Sequence, residues 1–118
     1  VSTGYNSFPR GLDDNIRERQ QRPEKYFWFE HAERNAIYNA ARIGVSTKGC
    51  TMYLSCGIPC SDCARGIINA GITRIFCERG DVTKGKHWEE NYERSWAMLE
   101  GAGINVQFYD DEFLSLGT

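Results

Sequence analysis

The 118 residues are 41% apolar and 13% aromatic, enough for one globular core and too few for two. With 25% charged residues the composition is neither collagen-like nor that of a disordered chain. A net charge of −2 and a pI near 5.7 give no electrostatic footprint for long nucleic acid, although a small anionic ligand in a local basic pocket stays open.

No apolar run approaches the roughly 20 residues of a membrane span. Five cysteines are an odd number for a disulfide framework. A C-x-x-C pair then points to metal or redox chemistry in a reducing compartment, with the cytoplasm expected. A single domain over residues 1–118 is expected.

Residues 1–30 read as irregular: "GYNSFPRG" is rich in turn formers, and "DDNIRERQQRPEK" is a charged connector. A helix is predicted from His31 to about Ile43, with Ala32, Ala36, Ile37, Ala40 and Ala41 as its packing stripe and Gly44 as its stop. "CTMYLSC" (50–56) reads as a buried strand between Gly49 and Gly57. "PCSDCARGIINAG" reads as a helix with Pro59 in its first turn. "ITRIFCE" is a strand, "KHWEENYERSWAMLEGAG" an amphipathic helix with Trp88, Tyr92, Trp96 and Leu99 at helical spacing, "INVQFYD" a last strand, and "DEFLSLGT" a tail. Alternating helices and strands predict parallel crossovers and a three-layer α/β/α sandwich, with the last two strands parallel because a helix joins them.

Two short motifs carry the chemistry. "HAE" (31–33) and "PCSDC" (59–63) each open a predicted helix. At a helix N-terminus, free N–H groups and the helix dipole favour thiolate at Cys60 and Cys63, and thiolates bind zinc well. His31 and Glu33 stand two apart, so along a helix they would diverge; a shared target has to lie over the open end. Alone, an H-x-E is usually a solvated helix start, and a lone C-x-x-C is metal, redox or simply buried cysteine. A structural zinc would need a fourth ligand, for which Cys56, Cys77 and His87 are the spare residues.

Together, H-x-E and P-C-x-x-C form the signature of the nucleobase zinc deaminases. The sequence resembles the cytidine-deaminase superfamily. "GYNSFPRG", "RPEKYFWFEHAERNAI" and "GCTMYL…PCSDCARGIINAGI" are most similar to its deoxycytidylate (dCMP) branch, over residues 4 to 110. The resemblance implies the cytidine-deaminase fold with a mixed sheet. It assigns His31, Cys60 and Cys63 to one catalytic zinc, Glu33 to proton transfer, the Ala32 N–H to the pyrimidine carbonyl and Asn6 to the deoxyribose. Arg10 is a candidate for the phosphate, and Tyr26 and Trp28 for the pocket wall.

The implied reaction is dCMP to dUMP with loss of ammonia, feeding thymidylate synthesis. The resemblance also implies dCTP and dTTP as effectors, Mg2+ accompanying an allosteric nucleotide, and a homo-oligomer. Competing readings are deamination of tRNA adenosine or free cytidine, and a non-catalytic zinc module. Three departures stand out. The family's N-terminal helix and first strand have no counterpart ahead of "GYN". "YLSCGIPC" is one residue longer than usual, so a bulge near Gly57 is expected. Ser7 occupies a position where many relatives have glycine.

Overall fold

The computed structural model describes residues 1–79 and 85–109; of residues 85–89 it describes the backbone only. The chain packs as two compact units, residues 1–45 and 46–118.

In the first unit a 3-10 turn (Arg17–Gln20) and a single helical turn, α1 (Lys25–Trp28), precede helix α2 (Ala32–Ile43). Alternating charges gave the connector no periodic signal, which is why these turns were not predicted. Arg19 lies over the Trp28 ring at 3.8 Å, and Trp28 donates to Glu24 Oε1 at 3.2 Å. Tyr26 and Trp28 are therefore not core residues, and Tyr26 is exposed.

Helix α2 stops at Gly44, which takes φ 78°, the left-handed conformation that closes a helix. Its polar flank holds down the N-terminal segment. Asn35 Nδ2 donates to the Tyr5 carbonyl (2.8 Å), Asn39 Nδ2 to the Thr3 carbonyl (2.7 Å), and Ser2 Oγ to the Ala36 carbonyl (2.6 Å). A bridge between Ser7 and Glu30 (2.8 and 3.1 Å) fastens the end of that segment beside the start of α2.

The second unit runs β1 (Thr51–Tyr53), α3 (Ser61–Asn69), β2 (Arg74–Cys77), α4 (Gly85–Gly101), β3 (Asn105–Phe108). The sheet order is β1-β2-β3 and both pairings are parallel, with Ile75 between Met52 and Val106. The expected parallel last pair is present, and β1 joins it in the same direction. Right-handed crossovers between neighbouring strands place α3 and α4 on one face. The core gathers there: Ile67, Ile75, Leu99, Ala64, Cys63 and Cys77 are fully buried.

β1 is shorter than its apolar run. Its ladder continues at Leu54, whose N–H reaches the Phe76 carbonyl (2.8 Å). The next donor, Glu78 N–H just past the end of β2, goes to the Cys56 carbonyl (2.9 Å), where a regular parallel ladder would use Leu54. Residues 54–56 therefore bow out, and 55–58 form bends. This is where the extra residue and the bulge were expected. The "DEFLSLGT" tail lies outside the described residues.

Candidate active site

His31 is the N-cap of α2, with an extended backbone (φ −77°, ψ 150°). Being outside the helix proper, it is not bound by helical spacing, so the divergence expected of positions two apart does not apply to it. Its carbonyl accepts the Asn35 N–H (2.9 Å), and its own N–H donates to Glu30 Oε1 (3.0 Å). Glu30 is in turn paired with Arg34 at 2.7 Å. Glu33 lies in the first turn of α2, where the dipole favours an acid, and it is one of only two buried residues in the first unit, at 7% exposure. A buried carboxylate at a helix start is far from the solvated acid that a lone H-x-E would give.

Cys60 is the N-cap of α3 (φ −67°, ψ 169°), and its Sγ accepts the Cys63 N–H at 3.5 Å. Pro59 therefore precedes the cap, two positions ahead of the first helical residue where it was expected, and its side chain is fully buried. Cys63 sits one turn into α3 and is also fully buried. Among the described residues, His31, Cys60 and Cys63 make up a group in which each offers a ligand atom, the three atoms lying within 4.8 Å of one another. Two sulfurs and an imidazole nitrogen suit zinc, and three protein donors leave a fourth position open, as catalytic zinc requires. Neither Cys56 nor Cys77 belongs to this group, and the His87 side chain lies outside the described residues. Burial pushes the Cys77 thiol up to about 11, with nearby Cys56 and Glu78 adding to the rise, so Cys77 stays protonated at neutral pH.

The remaining predicted contacts fall in the first unit. Asn6 Oδ1 accepts the Ala32 N–H at 2.7 Å, which joins two residues assigned to different parts of a substrate. Arg10 is exposed, and its guanidinium donates to Asn39 Oδ1 at 2.8 Å. Asn35 and Asn39, which hold the "GYN" segment, gave no sequence signal because asparagine on a helix ordinarily reads as solvated surface.

A parallel α/β sheet, a His/Cys/Cys group suited to a metal ion and a buried glutamate two residues from the histidine match the signature of the zinc deaminases. The family model for the cytidine and deoxycytidylate deaminase zinc-binding region matches residues 1–79, and the chain belongs to that family. A deaminase of Aliivibrio fischeri, described as uncharacterized, is 34% identical over 106 residues, covering 90% of this chain and 69% of the relative. The deoxycytidylate deaminase of Mus musculus is 39% identical, covering 96% of this chain and 62% of its own length. That of enterobacteria phage T4 is 43% identical over 77 residues, 64% of this chain and 35% of the phage protein. The chain thus spans less than two thirds of these deoxycytidylate deaminases. A crystal structure of dCMP deaminase from cyanophage S-TIM5 shares the fold, with a TM-score of 0.65 over 92% of this chain and 70% of that one, at 22% identity.

Proposed function

We propose that this chain carries the hydrolytic deamination of dCMP to dUMP, consuming water and releasing ammonia. The observation that carries the reading is the His31, Cys60 and Cys63 group with buried Glu33 two residues from the histidine. When bound there, zinc would supply the Lewis acidity that makes water a nucleophile near neutral pH.

His31, Cys60 and Cys63 would hold the metal. Glu33, not a ligand, takes one proton from the attacking water and delivers it to ring N3. It then takes the proton of the hydroxyl now on C4 and passes it to the departing amine, which leaves as ammonia while the C4 carbonyl forms. Its burial keeps that proton from exchanging freely with solvent. The Ala32 N–H is shared between Asn6 Oδ1 and the pyrimidine carbonyl, and Asn6 offers its Nδ2 hydrogens to the sugar. Arg10, oriented by Asn39, is the phosphate contact, a fork well matched to phosphate oxygens.

Several of the relatives are named deoxycytidylate deaminases, and a cyanophage enzyme of the same fold has been crystallised with dCMP and dUMP. The acidic balance weighs against a tRNA substrate. Effector control by dCTP and dTTP with Mg2+ and homo-oligomer assembly are supported by the resemblance alone, and cytoplasmic location by cysteine usage alone.

Glu33→Gln tests the reading. Zinc content should stay at the wild-type level while dCMP turnover falls by roughly 10²–10⁴-fold, the usual contribution of a positioned acid–base group. Normal turnover would refute the proton-transfer role. Cytidine and adenosine-containing RNA offered in the same ammonia-release assay separate the other substrates, and added dCTP or dTTP reads effector control.

A further inference from the structure

We infer that Asn91 and Ser95 on α4 are positioning residues for Cys60, clamping the turn that presents it to the metal. The inference rests on the assignment of Cys60 and Cys63 as zinc ligands. Ser95 is a fully buried hydroxyl on a helix, and it donates to the Pro59 carbonyl at 2.6 Å. One turn earlier, Asn91 engages Ser61 twice: its Oδ1 accepts the Ser61 N–H at 2.9 Å, and its Nδ2 donates to Ser61 Oγ at 3.3 Å.

These contacts bracket one residue. The Pro59 carbonyl belongs to the peptide plane before Cys60, and the Ser61 N–H to the plane after it. Fixing both planes fixes both backbone torsions of Cys60, at φ −67° and ψ 169°. Only rotation about its Cα–Cβ bond then remains to place the sulfur, and the Cys63 N–H contact to Cys60 Sγ constrains that too. Asn91 also takes a donor from the first turn of α3 that would otherwise have no partner within the helix.

A purely structural role would be to satisfy a helix start and a buried serine. The two differ in zinc exchange. Groups that orient metal ligands typically change metal affinity by about 10–100-fold when removed. A packing defect elsewhere on α4 should lower stability without touching the turn.

The zinc-loaded full chain is mixed with excess 4-(2-pyridylazo)resorcinol, and zinc release is followed by absorbance. Asn91→Ala and Ser95→Ala should each release zinc about 10-fold faster than wild type. Asn91→Asp, which keeps an acceptor for the Ser61 N–H, should recover most of the wild-type rate. Leu99→Val, a fully buried change on the same helix, should lower Tm with release unchanged. Should Ser95→Ala not fold, the half-buried Asn91 pair carries the test. Unchanged release in Asn91→Ala, or equal acceleration in Leu99→Val at the same loss of Tm, overturns the clamp. A wild-type protein that binds no zinc overturns the ligand assignment itself.

Discussion

A methyl group at position 4 would collide with the backbone nitrogen of Ala36 and the carbonyl oxygen of Ala32, neither of which can move without bending α2. Gly4 is thus what lets the "GYN" segment lie against the helix closely enough for Asn6 to meet the Ala32 N–H. Gly4→Ala should lift the segment and cost about 1–3 kcal/mol, the usual penalty of overpacking. It should also raise KM for dCMP, since Asn6 moves with it. Gly101→Ala is the control, because nothing stands within 4 Å of that added carbon. Urea midpoints of the two variants check this; equal midpoints would mean the segment does not pack as described. At this scale the sequence marked His31, Glu33, Cys60 and Cys63 as candidates for the chemistry, because a reaction demands particular atoms at particular spacing. It did not show what holds the "GYN" segment against the helix, since Gly4, Asn35 and Asn39 act through contacts that exist only once α2 is formed.

At the scale of elements, α2, α3, β2, α4 and β3 were legible from periodicity and from glycine stops, Gly44 and Gly71 among them. The stripe marked on α4 divides in the structure, with Leu99 fully buried. Its apolar marks, Tyr92 and Trp96, are half-buried or exposed, with Trp96 stacked on Phe108 at 6.1 Å. The flank carrying the contacts to α3 holds Asn91 and Ser95, with Leu99 one turn on, and two polar residues hide it from any hydrophobic pattern. β2 carries its own prediction at its end. Cys77 is fully buried and its thiol is raised from 9.0 to about 11, so the folded chain keeps a proton that the unfolded chain releases earlier. That stabilising difference is complete below pH 9 and is lost as pH rises through 11. The loss should approach ~1.4 kcal/mol per pH unit between those values. Urea unfolding from pH 8 to 10.5 should show Cys77→Ala weaker overall from its cavity but with a shallower decline. Parallel declines would mean that Cys77 ionises as readily folded as unfolded.

For the whole molecule the decisive question is what stabilises residues 1–45. Only Glu33 and Ala40 are buried there, and the rest of the unit depends on hydrogen bonds along α2 and the Phe8–Phe29 edge contact at 4.4 Å. Hydrogen bonds near solvent contribute about 1 kcal/mol each after their water partners are replaced, so the unit has little apolar burial to fall back on. A zinc ion held by His31, Cys60 and Cys63 would tie α2 to a stretch of chain far from it in sequence. Its binding to the folded state alone adds stability as RT ln(1 + [Zn]/Kd), about 4 kcal/mol at a thousand-fold excess over Kd. For a chain of this size that corresponds to a Tm change on the order of 10–15 °C. Chelation should therefore lower Tm by that order, and stoichiometric zinc should restore it. His31→Ala should show a much smaller response to chelator, because its weakened site starts nearly empty. An unchanged wild-type Tm after verified zinc removal would mean that the metal serves only the reaction, and that the α2 hydrogen bonds suffice to hold the histidine in place.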